Sequence, residues 1–170
     1  MEQKKVAVIM GSLSDWEAIK PCINTLSEWE IPYEAHVFSA HRSPIEAAKF
    51  AEDARKNGFG VIIAAAGMAA HLAGALAART TLPVIGIPVS AKQFDGMDAL
   101  LATVQMPSGI PVATVAVNGA KNAAILSMQI LAVTDSELAE RLNAEREKMH
   151  EGVLEKDAEL QAKLEEEINE

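Results

Sequence analysis

The sequence predicts a three-layer α-β-α domain on a mostly parallel sheet, with a long helix at its C-terminal end. Three observations carry this. Five short apolar runs, at 4–10, 33–38, 60–66, 83–88 and 112–117, alternate with helical stretches. The loops that follow these runs carry Gly, Ser or Asn, the residues that end strands and open helices. Repeated β-then-α units also force right-handed crossovers, which put helices on both sheet faces. The expected result is a flavodoxin-like α/β catalytic domain over residues 1–134. Residues 135–170 are expected to form an acidic helical extension of the same domain.

Each element has its own warrant. Lys4 to Met10 is short, continuously apolar and β-branched, as a buried parallel strand should be. Ser14 with Glu17 has capping-box spacing and predicts a helix to about Trp29. After the strand at 33–38, Ser43, Pro44 and Glu46 combine a cap, a first-turn proline and a capping-box glutamate. That helix is predicted to run from Pro44 to Asn57, where Gly58 stops it. The third strand, 60–66, precedes an alanine-rich helix over about 69–79. A fourth strand, 83–88, leads to a helix from about Met97. Pro107 and Pro111 stiffen the loop at 105–111, and the strand at 112–117 and helix at 122–133 follow. Thr134 with Glu137 then opens a long charged helix. Its Leu138, Leu142, Met149, Val153, Leu160 and Leu164 form a stripe that covers either its own domain or a neighbouring subunit. The small residues of the third and fifth helices permit the close approach that either arrangement needs.

Composition narrows the function classes. The chain has 170 residues, 49% of them hydrophobic, enough for one domain with a substantial core. No apolar run approaches a membrane span, and Met1-Glu2-Gln3-Lys4-Lys5 leads straight into a strand, so no signal peptide is expected. A single cysteine, Cys22, excludes an internal disulfide and suits a reducing cytoplasm. Its place in a helical stretch predicts a buried structural thiol. The net charge of −9 is concentrated late, with 13 acidic and 5 basic side chains in residues 135–170. Without a basic patch, and with 4% aromatic residues, the chain lacks what nucleic-acid binding needs.

Parallel strands share a direction, so the loops after the first three strands are expected at one sheet edge. This would gather Ser12, Ser14 and Asp15 with Ser39, His41 and Arg42, and with Gly67 to Gly74. The first loop opens a helix, where free backbone N–H groups favour a phosphate and the two serines add donors. Asp15 can accept hydrogen bonds from ribose hydroxyls. The residues alone equally allow Ser14 only to cap the helix and Asp15 only to complement its dipole. Arg42 either neutralises a phosphate or pairs with Glu46 on the surface. His41 is a proton carrier or a structural histidine. His36, expected in mid-strand, and His150, on the acidic helix, are given no role. Histidines scattered over separate elements provide no metal-ligand spacing. From Val61 to Ala70 nothing is charged, so Ala66, Gly67 and their neighbours make a dry wall for a small apolar species. His71, at its end, is a second donor to the ligand or a clasp for the turn. Neither Gly-x-Gly-x-x-Gly nor a Walker-type loop occurs, so dinucleotide and ATP binding have no motif support.

Four segments together resemble the PurE family: 11–16 (Gly-Ser-Leu-Ser-Asp-Trp), 39–44 (Ser-Ala-His-Arg-Ser-Pro), 69–72 (Ala-Ala-His-Leu) and 105–112 (Gln-Met-Pro-Ser-Gly-Ile-Pro-Val). Their order and spacing are similar over roughly residues 4–155. Within the family the chain looks like class I, the 5-(carboxyamino)imidazole ribonucleotide mutases of purine biosynthesis. Class II members, which carboxylate aminoimidazole ribonucleotide directly, typically have lysine in place of Arg42 and lack the Ala-His-Leu segment. Two positions depart from class I, which usually has glycine at Met68 and proline at Ala73. The resemblance implies that His41 is the general acid/base. Ser12, Asp15 and Arg42 would bind the nucleotide, with Ser14 and Ser39 helping at the phosphate. It implies a homo-octamer and no metal, biotin or ATP. Direct carboxylation by the same residues, or a non-catalytic flavodoxin-like nucleotide-binding module, are the alternatives. The second explains a phosphate-binding first loop but not the His41–Arg42 pair or the apolar third loop.

Overall fold

In the computed structural model, which describes residues 4–168, the five strands are β1 (Lys5–Met10), β2 (Tyr33–Val37), β3 (Phe59–Gly67), β4 (Val84–Val89) and β5 (Ala113–Thr114). They form one sheet in the order β2-β1-β3-β4-β5, and every neighbouring pair is parallel. Between them lie α1 (Trp16–Glu28), α2 (Pro44–Asp53), α3 (Leu72–Ala77) and α4 (Met97–Val104); α5 (Ala120–Ala132) and α6 (Ser136–Ile168) follow. The predicted flavodoxin-like class is the observed one.

The period-2 geometry of strands explains why β1 and β3 are apolar throughout. Ala7 and Ile9, in register with Ile62 and Ala64, point to the side where Ala47 and Ala51 of α2 and Leu72 and Leu76 of α3 pack. The alternate residues Val6, Val8, Ile63 and Ala65 are fully buried too, so both faces of the central strands are covered. Each fully buried Ile or Leu contributes about 1.5–3 kcal/mol. The core therefore fixes the strand register, and the register fixes where each loop leaves the sheet. Gly86 in β4 allows α4 close: a Cβ there would lie 2.4 Å from the Thr103 methyl.

Helix starts differ from expectation in an informative way. Ser14 does not cap α1. It lies in a 3-10 turn (Leu13–Asp15) capped by Ser12, whose Oγ accepts from the Ser14 N–H at 3.3 Å. Ser43 precedes Pro44 as expected, but its hydroxyl makes no capping bond to α2; it turns back to Ser39. At α6 the cap shifts by one residue, with Asp135 Oδ1 accepting from the Leu138 N–H at 3.1 Å. In all three places tertiary or loop hydrogen bonding competes with the local capping pattern. α3 is shorter than predicted because residues 68–71 form consecutive tight turns, Ala70 N–H to Met68 O and His71 N–H to Ala69 O, both 2.9 Å.

The chain forms two compact units that divide between Leu131 and Ala132. The second consists mainly of α6. Its apolar stripe pairs residues four apart and repeats every eleven, which holds Met149, Val153, Leu160 and Leu164 on one face of a straight helix; all four are exposed. Among the described residues no helix is long and apolar enough to cross a membrane.

Candidate active site

Strand order changes direction at β1: the chain goes first to β2 on one side, then to β3, β4 and β5 on the other. Loops leaving the carboxyl ends of β1 and β3 therefore diverge, and ligands of doubly wound sheets sit in the resulting crevice. A cleft of about 570 Å³ occupies that place. Every residue singled out as a site candidate in the sequence lines it: Ser12, Ser14 and Asp15 after β1, Ser39, His41 and Arg42 after β2, and Ala66, Gly67 and His71 at and beyond the end of β3.

The polar side of the cleft is held in shape by its own serines. Ser12 Oγ accepts from the Ser14 N–H and lies 2.8 Å from Ser14 Oγ. Ser14 has one hydroxyl proton, which either Ser12 Oγ or the Asp15 carboxylate receives. Burial raises the Asp15 carboxyl above its ordinary value, while hydrogen bonds from the Ser12 backbone and the Ser14 side chain pull it down. In the next loop Ser39 Oγ accepts from the N–H groups of His41 (3.3 Å) and Arg42 (3.1 Å). Ser43 Oγ accepts from the Ser39 N–H at 2.8 Å and donates to the Ser39 carbonyl at 3.3 Å. These bonds use Ser39 Oγ as an acceptor, so its own proton remains available to an anion in the cleft.

Arg42 is exposed and forms no ion pair among the described residues, with Glu46 or any other carboxylate. The Arg42–Glu46 alternative is thereby removed. His41 and His71, thirty residues apart in sequence, meet here: His41 Nε2 lies 2.9 Å from His71 Nδ1, with the rings nearly perpendicular at 77°. Only one proton fits between those nitrogens, so the tautomer of one ring sets that of the other. His36, by contrast, lies in β2 with its ring stacked on Phe38 at 5.3 Å. Cys22 is buried and its thiol is pushed up to about 12 by that burial, so it stays neutral.

The other side of the cleft is apolar. Ala66 and Gly67 end β3 in register with Pro88 and Val89 of β4. A Cβ on Gly67 would lie 3.1 Å from the Val89 carbonyl oxygen, so glycine permits the close approach of the two strands. Met68 follows in the left-handed region, φ 55°.

Sequence reasoning missed the fourth wall, formed by Val89, Ser90 and Ala91 after β4. It also missed Asn118, which braces that wall: its Oδ1 accepts from the Ser90 N–H (3.0 Å) and its Nδ2 donates to Ser90 Oγ (2.8 Å). The Asn118 N–H donates to the Pro88 carbonyl at 2.8 Å, and the residue is left-handed at φ 57°. β5 pairs over only two residues, shorter than predicted, and this bracket continues the connection where the ladder stops. Asn118-Gly119 marks a turn in the sequence, but nothing there points to Ser90. Among the described residues no group of three or more His, Cys, Asp or Glu side chains is placed to hold a metal.

Over residues 5–152 the sequence matches the family described as AIR carboxylase. The chain belongs to the AIR carboxylase family. It is 51% identical over 150 residues to an N5-carboxyaminoimidazole ribonucleotide mutase of Saccharolobus solfataricus, covering 88% of this chain and 95% of the relative. It is also 51% identical over 160 residues to the protein of that name from Bacillus subtilis, covering 93% and 99% respectively. The crystal structure of Treponema denticola PurE superposes with a TM-score of 0.85 at 26% identity, covering 93% of this chain and 99% of that one. As a member of the AIR carboxylase family the protein is an enzyme with a small-molecule substrate, as its sequence motifs imply.

Proposed function

We propose that the protein converts 5-(carboxyamino)imidazole ribonucleotide to 4-carboxy-5-aminoimidazole ribonucleotide in purine biosynthesis. The observation that carries this reading is the His41–His71 pair at 2.9 Å, set between an unpaired cation and an uncharged wall in one cleft. Its support from similarity is the 51% identity to proteins named as this mutase. Arg42 in place of lysine, and the Ala70-His71-Leu72 segment, favour the mutase over direct carboxylation, given the class pattern stated above.

The chemistry follows from what each side of the cleft offers. Arg42 and the hydroxyls of Ser12, Ser14 and Ser39 bind the phosphate, and Asp15 accepts from the ribose hydroxyls. The carbamate C–N bond breaks, its electron pair returning to nitrogen, which takes a proton to become the amine; CO2 is released against Ala66 and Gly67. The ring carbon C4 then attacks CO2 and surrenders its proton to restore aromaticity. One proton is supplied and one recovered, so a single titratable group suffices. His41 is that group, and His71 fixes its tautomer and can share the proton. Confinement against the dry wall makes recapture effectively intramolecular. We further propose a cytoplasmic homo-octamer. Exposed Met97, Leu101 and Val104 of α4 and the exposed stripe of α6 offer the apolar surface that such assembly would cover.

The deciding experiment gives the purified protein the carbamate without ATP, and separately aminoimidazole ribonucleotide with bicarbonate. Faster interconversion of the carbamate and the ring-carboxylated nucleotide is expected. Faster direct carboxylation would move the protein to the carboxylase class, and binding without turnover would make it a nucleotide-binding module.

A further inference from the structure

Met68 is the one cleft residue whose backbone and side chain are at odds. Its φ of 55° places a long L side chain in the left-handed region, where glycine, asparagine and aspartate are favoured because a Cβ crowds the backbone there. Such strain persists when the surrounding structure imposes it, and it concentrates at functional sites. Here two constraints impose it. Gly67 is held against the Val89 carbonyl on one side. On the other, the Met68 carbonyl accepts from the Ala70 N–H in the turn that brings His71 to His41. The backbone conformation thus follows from the turn, but the turn does not require methionine. Glycine would satisfy it without strain.

The side chain is what remains to explain. Met68 lines the cleft yet is 59% exposed, so it stands at the mouth while Ala66 and Gly67 lie deeper. A thioether chain is apolar, unbranched and adaptable in shape. Resting on the mutase reading, we propose that Met68 is a retention residue: its side chain forms an apolar cover over the dry side of the cleft and biases freed CO2 toward recapture by C4 instead of escape. The CO2 balance is unchanged. Each molecule either forms the new C–C bond or is lost to the medium, and Met68 alters only that partition.

The test follows the carboxyl label of carbamate-labelled substrate, scoring label lost to the medium against label fixed in the product. Three variants separate backbone from side chain. Met68→Gly and Met68→Asn suit the left-handed turn but remove the apolar chain; Met68→Leu keeps an apolar chain of similar size. Both Gly and Asn variants should lose several-fold more label per product formed than wild type, with melting temperatures no lower, while the Leu variant should retain label as wild type does. Equal loss from wild type and Met68→Gly would overturn the proposal, as would leakage from Met68→Leu matching that from Met68→Asn. A fall in the melting temperature of the Gly and Asn variants would overturn it as well, by making methionine a structural requirement. Absence of product from the wild type would instead refute the mutase reading itself.

Discussion

The two sides of the cleft are built by different means. On the polar side, Ser12, Ser39 and Ser43 each hydrogen-bond to their own loop, so short-range side-chain contacts give the loops their shape. On the dry side, shape comes from close strand packing at Gly67, left-handed backbone at Met68, and the Asn118 bracket from beyond β5. A nucleotide phosphate needs many oriented donors, which serines supply cheaply and locally. A small apolar molecule needs the opposite, a surface without donors or charges. Such a surface cannot organise itself by hydrogen bonds and must borrow its rigidity from the sheet. The His41–His71 contact joins the two sides, one histidine from each.

The sharpest way to break this division is at that junction. His41→Asn should lower turnover by about 10²–10⁴-fold, the usual contribution of a positioned acid/base, while nucleotide affinity stays near wild type. Single-turnover kinetics beside equilibrium binding would check it, and near-normal turnover would remove His41 from proton transfer. Arg42→Ala should behave oppositely. We expect weaker nucleotide binding by about 1.5–3 kcal/mol, the range for a charge-assisted hydrogen bond. Calorimetry showing unchanged affinity would leave Arg42 a surface residue and the polar side without its cation.

Asn118→Ala sharpens the comparison on the dry side. Removing the bracket should cost about 1 kcal/mol of stability for each net hydrogen bond lost, readable by urea denaturation. Ser90 and Ala91 should loosen, and hydrogen exchange at the Ser90 amide should accelerate, with phosphate affinity retained. If exchange at Ser90 does not change, the fourth wall is held by something else.

The smallest expected effect lies at Asp15 and depends on pH. Burial raises its carboxyl, so the folded protein holds that proton more tightly than the unfolded chain does. Ionised Asp15 therefore lowers stability at neutral pH, and the penalty fades as pH falls through the raised folded value toward the ordinary 3.8. Asp15→Asn should raise the melting temperature slightly at neutral pH and lose that gain below 3.8, even as ribose recognition suffers. A gain independent of pH would mean that the charge of Asp15 is not the cause.

The sequence by itself determined the parallel α/β class, because continuous apolar runs such as 5–10 and 60–66 make sense only as strands buried on both faces. It also located the first three loops at one edge, since parallel strands leave no other place for them. The same reasoning placed His41 beside Arg42 and brought His71 near. It could not read where hydroxyl groups would bond. Ser14 and Ser43 have capping-box spacing, yet loop hydrogen bonds take their place in the structure. Nor could it see Ser90 and Asn118 as partners across 28 residues, or a methionine held left-handed. Periodicity reports burial, which a local pattern encodes. A hydrogen bond between distant loops, or a backbone angle forced by packing, exists only once the strands have set those loops side by side.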